Sequence, residues 1–159
     1  MKTMLERGAG ILMPVSSLPS PYGIGTFGSA AYDFVDWLQK AGQRYWQILP
    51  LGATSYGSSD DSPYQAYSAF AGNPYLISLD ALVEEGVLTR EECDGVSFGE
   101  TAAKVDFDQL HEHRFALLRK AYERSGISAN PDYQNFIRDN GWWLNDYALF
   151  MALKTFFHD

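Results

Sequence analysis

Residues 10–51 read GILMPVSSLPSPYGIGTFGSAAYDFVDWLQKAGQRYWQILPL, and this stretch decides the fold. The apolar run Gly10–Leu18 ends in a proline- and glycine-rich turn and predicts a buried strand. Residues Ser29–Lys40 have helical apolar spacing, with the first residue as the expected N-cap and Gly42 as the left-handed end. A second apolar run, Arg44–Leu51, predicts another strand. We therefore expect an α/β fold in which two parallel strands are joined by a right-handed crossover helix.

The second half of the chain predicts helices. Two short ones, Asp80–Glu85 and Thr89–Cys93, are each followed closely by a glycine, and Asp108–Arg124 carries a broad apolar stripe. An Asn-Pro pair opens a further helix that ends at Asp139. The last segment, Trp142–Phe157, is apolar on nearly every face, and such a helix needs neighbours that this chain hardly offers. We expect the sequence to be cut from a longer one.

An aromatic segment, residues 61–79 (DSPYQAYSAFAGNPYLISL), lies between these halves and carries almost no charge. Aromatic faces with hydroxyl and amide groups beside them suit a sugar, which presents an apolar face and a rim of hydroxyls. The same residues would also suit a buried loop core. Composition alone leaves both interpretations open.

Composition excludes several functional classes. The 159 residues are 46% hydrophobic and 20% charged, which is typical of a globular domain, and 15% are aromatic. A net charge of −8 disfavours binding to nucleic acid or to an anionic membrane. No apolar run is long enough to span a bilayer. Cys93 is the single cysteine, so an internal disulfide is impossible and we expect a reducing, cytoplasmic location.

A glycine motif, Gly23–Gly28 (GIGTFG), lies between a predicted strand and a helix, as in dinucleotide-binding proteins. Two features oppose a nucleotide-binding domain. The intervening segment Pro19–Tyr22 moves the glycines away from the strand end, and Gln47–Pro50 supplies no acidic residue for a ribose. We interpret the glycines as loop residues.

Polar side chains give no catalytic or metal motif. His111 and His113 are two residues apart on a predicted helix and point in nearly opposite directions, so we expect solvated histidines. Three carboxylate pairs are also expected to be solvated: Asp60-Asp61, Glu84-Glu85 and Glu91-Glu92. We expect no cofactor and no metal.

Four stretches together resemble the N-terminal part of a 4-alpha-glucanotransferase, the amylomaltase or disproportionating enzyme of glycoside hydrolase family 77. They are SSLPSPYGIGTFG (residues 16–28), GQRYWQILPLGATSYG (42–57), DSPYQAYSAFAGNPYLISLDAL (61–82) and WWLNDYALFMALK (142–154). The resemblance covers almost the whole chain, and the SPYQ and SAFAGNPYLI blocks are its most specific parts.

The resemblance implies a (β/α)8 barrel with insertions that transfers α-1,4-glucan segments between chains with retention. That chemistry needs two carboxyl groups about 5 Å apart, and no position here matches the family's catalytic motifs. A barrel also needs about 250 residues. We expect residues 1–79 to begin the barrel with substrate-lining loops, and residues 80–159 to begin a truncated, mainly helical inserted subdomain.

The resemblance also implies site residues. Tyr64 corresponds to a tyrosine that lines the glucan subsites, Ser62 to a group that hydrogen-bonds the sugar, and Tyr56 to an aromatic of a second glucan-contact surface. Gln65 and Asn73 are expected to hold the loop. The expected partner is α-1,4-glucan (maltooligosaccharides, starch or glycogen), and the open strand edges of the fragment favour self-association.

The chain departs from the family pattern at three places. Ser58-Ser59-Asp60 lengthens the loop between Tyr56 and Tyr64, Met13 stands where many members have histidine, and His111 stands near a surface tyrosine of some members. A second functional hypothesis is a stand-alone carbohydrate-binding module that uses the two loop tyrosines as platforms. The apolar final segment favours the fragment, since a self-sufficient module would end in a polar-faced element.

Overall fold

The computed structural model describes residues 7–54, 61–101 and 103–157. In chain order the strands and helices are β1 (Gly10–Leu12), α1 (Ser29–Lys40), β2 (Tyr45–Gln47), α2 (Leu79–Glu84), α3 (Arg90–Asp94), α4 (Phe107–Gln109), a π-helical turn (Leu110–Arg114), α5 (Phe115–Ser125) and α6 (Pro131–Phe157). Short 3₁₀ helices lie at Val15–Ser17, Pro74–Leu76 and Ile127–Ala129.

The two strands are parallel, as the βαβ pattern predicts, with Ile11 opposite Trp46. Both strands are shorter than predicted. Beyond β1 the chain passes through Pro14 into a 3₁₀ helix, because proline has no N–H to donate to a ladder. The Met13 N–H still donates to the Gln47 carbonyl at 3.0 Å, so pairing extends one bond past the strand.

Helix α1 has the predicted bounds, but Gly28, not Ser29, is its N-cap, and no side chain caps it. A Cβ on Gly28 would lie 2.7 Å from Ser78 Oγ, so close packing against Ser78 requires glycine there. The helix packs through Phe34, whose ring meets Trp46 of β2 edge-on at 5.0 Å between centroids. It ends at Gly42 in the left-handed conformation, as predicted (φ +69°).

Helices α2 and α3 lie within one residue of their predicted positions and begin at side-chain caps. Ser78 Oγ accepts from the Ala81 N–H, and Thr89 with Glu92 forms a capping box. The Glu92 carboxylate also binds Lys120 (3.1 Å) and Arg124 (2.8 Å) of α5. This carboxylate therefore fixes α3 against α5.

The helix predicted at Asp108–Arg124 is interrupted by a π-helical turn. Leu110 and Arg114, at the two ends of that turn, are both fully buried. The Arg114 guanidinium donates to the carbonyls of Tyr22 (3.4 Å) and Ile77, and burial lowers the pKa of Arg114 to about 10. The π-helical turn thus points the Arg114 guanidinium inward, where it links the helix to the segments of Tyr22 and Ile77. Apolar spacing along the sequence does not reveal these contacts.

Helix α6 is one 27-residue helix, whereas the sequence predicted two with a break near Gly141. A glycine inside a helix costs only about 1 kcal/mol relative to alanine, so Gly141 does not end a helix whose one proline stands at its first residue. None of the described side chains of α6 is buried, and Trp142, Leu149 and Phe156 are 60–74% exposed. The described chain therefore covers this apolar helix only in part, through Tyr67 and Phe70, in line with the few neighbours that the sequence offers it.

The core has two parts. The larger centres on Leu79, Cys93 and Leu110, joins α2, α3 and α5, and includes Tyr22 and Tyr75. The smaller packs α1 against the region just after β1 and has four buried members: Val15, Leu18, Ala31 and Leu76. None of the described helices is both long enough and apolar enough to cross a membrane.

Candidate functional site

The candidate site lies where the chain leaves the carboxyl ends of β1 and β2. Parallel strands end at the same edge of a sheet, so the segments after Leu12 and Gln47 emerge side by side. They are fastened together by the Trp46 indole N–H, which donates to the Met13 carbonyl at 2.7 Å. Open α/β sheets carry their ligands at this edge.

The aromatic segment is tied to the loop after β2 by backbone hydrogen bonds. Gly52 and Gly72 form an isolated antiparallel bridge, and the Asn73 N–H donates to the Leu51 carbonyl at 2.8 Å. The side chain of Asn73 accepts from the Tyr75 N–H at 2.9 Å and caps the following 3₁₀ helix. These two hydrogen bonds of Asn73 hold the loop against the segment that follows β2.

Residues 62–65 form a tight turn that presents Tyr64. The Ser62 hydroxyl accepts from the Tyr64 N–H at 3.3 Å, and the Ser62 carbonyl accepts from the Gln65 N–H at 3.0 Å. The Tyr64 side chain is 72% exposed, and Gln65 is exposed as well. Tyr56, the remaining site residue predicted from the sequence, lies outside the described residues.

The aromatic residues of the segment divide between the two roles that composition left open. Tyr75 is buried in the larger core, whereas Tyr64 projects outward. Phe70 packs against Trp142 of α6, with 4.8 Å between ring centroids, and Tyr67 packs against Phe150 at 5.4 Å. Part of the segment is therefore core and part is an exposed aromatic surface.

Asp61 differs from its sequence prediction. It was expected to be solvated, yet it is half-buried and its Oδ1 atom is buried. Burial raises the pKa of the Asp61 carboxyl, the charge of Asp108 raises it further, and the Thr54 hydroxyl opposes the rise. The prediction failed because the residue is covered by segments distant in sequence, which local pattern does not show.

Of the other carboxylate pairs, Glu84 and Glu85 are exposed as expected. Glu92 is not a free solvated group: the Arg124 and Thr89 hydrogen bonds lower the pKa of Glu92 to about 2.

The prediction of solvated histidines is wrong for His111, which is half-buried and contacts the Phe115 ring, with 5.2 Å between ring centroids. Burial lowers the pKa of the His111 imidazole.

The glycine motif is explained by packing. Gly23 has a positive φ of +78°, and a Cβ there would lie 2.6 Å from Phe98 Cβ. A Cβ on Gly25 would lie 2.1 Å from the Val15 carbonyl oxygen. These glycines allow the backbone to pass close to its own core. Within the described ranges, no cluster of three or more His, Cys, Asp or Glu side chains could hold a metal ion.

These features define a mixed α/β protein whose loops converge at the carboxyl ends of a parallel strand pair. A family model described as 4-alpha-glucanotransferase matches residues 13–159. The chain belongs to this family, glycoside hydrolase family 77, which confirms the resemblance read from the motifs.

Individual relatives agree. The chain is 52% identical over 155 residues to a 4-alpha-glucanotransferase of Streptococcus pneumoniae serotype 4 (97% of this chain, 30% of the relative). It is 50% identical over 146 residues to that of Clostridium butyricum (92% of this chain, 29% of the relative). A solved amylomaltase from Streptococcus agalactiae, in complex with acarbose, superposes with a TM-score of 0.85 at 42% identity, covering 96% of this chain and 30% of that one. The chain thus spans about 30% of the length of these relatives.

Proposed function

We propose that this chain is the N-terminal part of a 4-alpha-glucanotransferase that moves segments of α-1,4-glucan from one chain to another by a retaining double displacement. The family match over residues 13–159 carries the proposal. The relatives named 4-alpha-glucanotransferase, at 50% identity or more, support it. The substrate class follows: maltooligosaccharides, starch or glycogen.

We propose that β1, α1 and β2 are the first strand–helix–strand unit of a (β/α)8 barrel, and that the helices after residue 80 begin an inserted subdomain. The parallel pairing of Gly10–Leu12 with Tyr45–Gln47 supports the first part. A barrel carries its active site at the carboxyl ends of its strands. The aromatic segment is fastened at that edge.

On this proposal the chain supplies sugar-binding surface and the catalytic carboxylates come from later strands. The exposed ring of Tyr64 stacks on the glucan, and the Ser62 hydroxyl hydrogen-bonds a sugar hydroxyl. Tyr56 contributes to a second glucan contact, while Gln65 and Asn73 hold the loop. The 72% exposure of Tyr64 supports the stacking role, and the backbone bonds of Asn73 to Leu51 and Tyr75 support the holding role.

Maltotriose tests the proposal directly. The full-length protein should convert it to glucose and longer maltooligosaccharides, and the purified 159-residue chain should do neither transfer nor hydrolysis. Transfer activity in the 159-residue chain, retained after contaminant controls, would contradict the assignment of catalysis to later strands. A full-length protein that leaves maltotriose unchanged would contradict the proposed 4-alpha-glucanotransferase activity.

A stand-alone carbohydrate-binding module is less well supported, because α6 exposes Trp142, Leu149 and Phe156. We propose that these faces and the open strand edges make the isolated chain self-associate, which light scattering would measure. The full-length protein is proposed to be cytoplasmic, in keeping with the buried, unpaired thiol of Cys93, the one cysteine among these 159 residues.

A further inference from the structure

The loop after β1 forms one wall of a cavity that measures about 480 Å³. Residues 98–99 and 103–105, from the segment before α4, form the facing wall. Ligand pockets in proteins measure about 300–1,000 Å³, so this loop cavity is large enough for a ligand. Its lining combines serine hydroxyls, a lysine and apolar side chains: Ser16, Ser17, Pro19, Pro21, Phe98 and Lys104.

Both walls of the loop cavity are held by contacts within the chain. The Gly25 N–H donates to the Ser16 carbonyl at 3.0 Å, and the Tyr22 N–H donates to Ser20 Oγ at 3.1 Å. The Phe98 ring packs edge-on against the Tyr22 ring, with 5.9 Å between ring centroids. The cavity is therefore preformed, and binding to a preformed site loses less conformational entropy.

Three polar groups of the loop cavity are available to a ligand. Among the residues that the structure describes, none hydrogen-bonds or ion-pairs with the hydroxyls of Ser16 and Ser17 or with the ammonium of Lys104. A hydroxyl both donates and accepts hydrogen bonds, and an ammonium donates several. Pro19 and Pro21 add apolar faces beside these groups. This combination suits a sugar, which presents an apolar face and a rim of hydroxyls.

The charges around the loop cavity favour an uncharged ligand. A neighbouring groove shares Lys104 with the cavity and is also lined by Glu100, Asp106 and Asp108. The three carboxylates repel an anion, whereas Lys104 repels a cation from its own part of the cavity. A neutral compound with several hydroxyls avoids both repulsions, and a glucosyl unit is such a compound.

The loop cavity adjoins the surface that carries Tyr64. A smaller cavity shares Ser16 and Ile24 with it and extends to Pro63, the residue before Tyr64. Both cavities lie beyond the carboxyl end of β1, and a barrel carries its active site at that end of its strands. A glucan that contacts Tyr64 therefore lies on the same stretch of surface as the loop cavity.

We propose that the loop cavity is a remote glucan subsite. It binds one glucosyl unit of a chain whose other units lie at Tyr64, through the hydroxyls of Ser16 and Ser17 and the ammonium of Lys104. A short chain leaves this subsite empty and a longer chain fills it, so the subsite makes the enzyme prefer longer chains. This inference rests on the proposed function and adds the residues that determine chain-length preference.

Kinetics of the full-length protein on maltotriose and maltoheptaose test the subsite. The double variant Ser17→Ala/Lys104→Met removes two polar groups and keeps the apolar stem of the lysine. It should lower the ratio of kcat/KM on maltoheptaose to kcat/KM on maltotriose about tenfold. Ser29→Ala/Lys40→Met makes the same two changes at exposed positions of α1 and should keep the wild-type ratio. An unchanged ratio in the first variant, including equal losses on both substrates, would overturn the subsite.

Hydrogen exchange separates the subsite from the proposed function. The Ser17 amide is bonded to the Pro14 carbonyl and the Tyr22 amide to Ser20 Oγ, so both report on the loop. Saturating maltoheptaose should slow their exchange about tenfold in the wild-type full-length protein and hardly at all in Ser17→Ala/Lys104→Met. Equal exchange with and without maltoheptaose in the wild type would overturn the subsite even if glucan is transferred. If the wild type transfers no glucan, the proposed function fails, and slowed exchange would still establish glucan binding at the loop cavity.

Discussion

Replacing Tyr64 in the full-length protein should lower glucan transfer without unfolding the chain. The ring is 72% exposed, so its removal opens no core cavity, and surface substitutions usually change stability by under about 0.5 kcal/mol. A loss of activity would then report on substrate contact. Because the 62–65 turn holds the Tyr64 ring outside the core, its replacement can change activity without changing stability.

The magnitude follows from two interactions. An aromatic ring stacked on a sugar and a hydroxyl that reaches a sugar oxygen together contribute roughly 1–3 kcal/mol. Lost in the transition state, they correspond to roughly a ten- to hundredfold fall in kcat/KM. Tyr64→Phe keeps the ring and should lose only the hydroxyl share, whereas Tyr64→Ala should lose both.

Steady-state kinetics on maltotriose would measure the effect, with circular dichroism to confirm folding. Tyr32 provides a matched control, because it is 74% exposed on α1 and is not part of the candidate site. Tyr32→Ala should leave kcat/KM unchanged. Wild-type transfer in Tyr64→Ala would refute the stacking role and assign this tyrosine to the loop surface alone.

Three other predictions concern stability. Leu110→Ala should lower the free energy of unfolding by about 2–5 kcal/mol in urea titration, because Leu110 is fully buried. In the same titration, Gly23→Ala should lower the free energy of unfolding more than Gly42→Ala. Both glycines have a positive φ, but of the two only Gly23 has core atoms close to where a Cβ would lie. The pKa of Glu92 is lowered from 4.5 to about 2, so its stabilisation is present above pH 4.5 and is lost as the pH falls through 2. Thermal unfolding midpoints of Glu92→Gln and the wild type should therefore converge near pH 2. Glu84→Gln, which changes an exposed residue, is the control and should have the wild-type midpoint at neutral pH.

Much of the fold followed from local sequence. Ser29–Lys40 was predicted with its observed bounds, since its apolar spacing and Gly42 leave the chain few alternatives. The short helices predicted at Asp80–Glu85 and Thr89–Cys93, each before a glycine, lie within one residue of α2 and α3. The structure adds the caps at their starts, Ser78 and Thr89. The parallel pairing followed from element lengths alone.

Two of the failures share a cause. The π-helical turn and the capping of α1 by Gly28 each depend on contacts with distant segments, whereas α6 continues through Gly141 because one glycine inside a helix costs only about 1 kcal/mol. Arg114 is buried because the carbonyls of Tyr22 and Ile77 meet it, and Gly28 is required because Ser78 lies against it. A pattern read over a few residues contains none of these distances.

The sequence by itself determined the family, the βαβ order and the set of candidate sugar-binding residues. Periodicity and capping act within a few residues, and family motifs are written in the chain directly. Only the tertiary structure decided which aromatics are core and which are exposed, and that Asp61 is half-buried beside Thr54. Burial is set by what the rest of the chain places against a side chain, so two residues of the same type, such as Tyr64 and Tyr75, receive opposite environments.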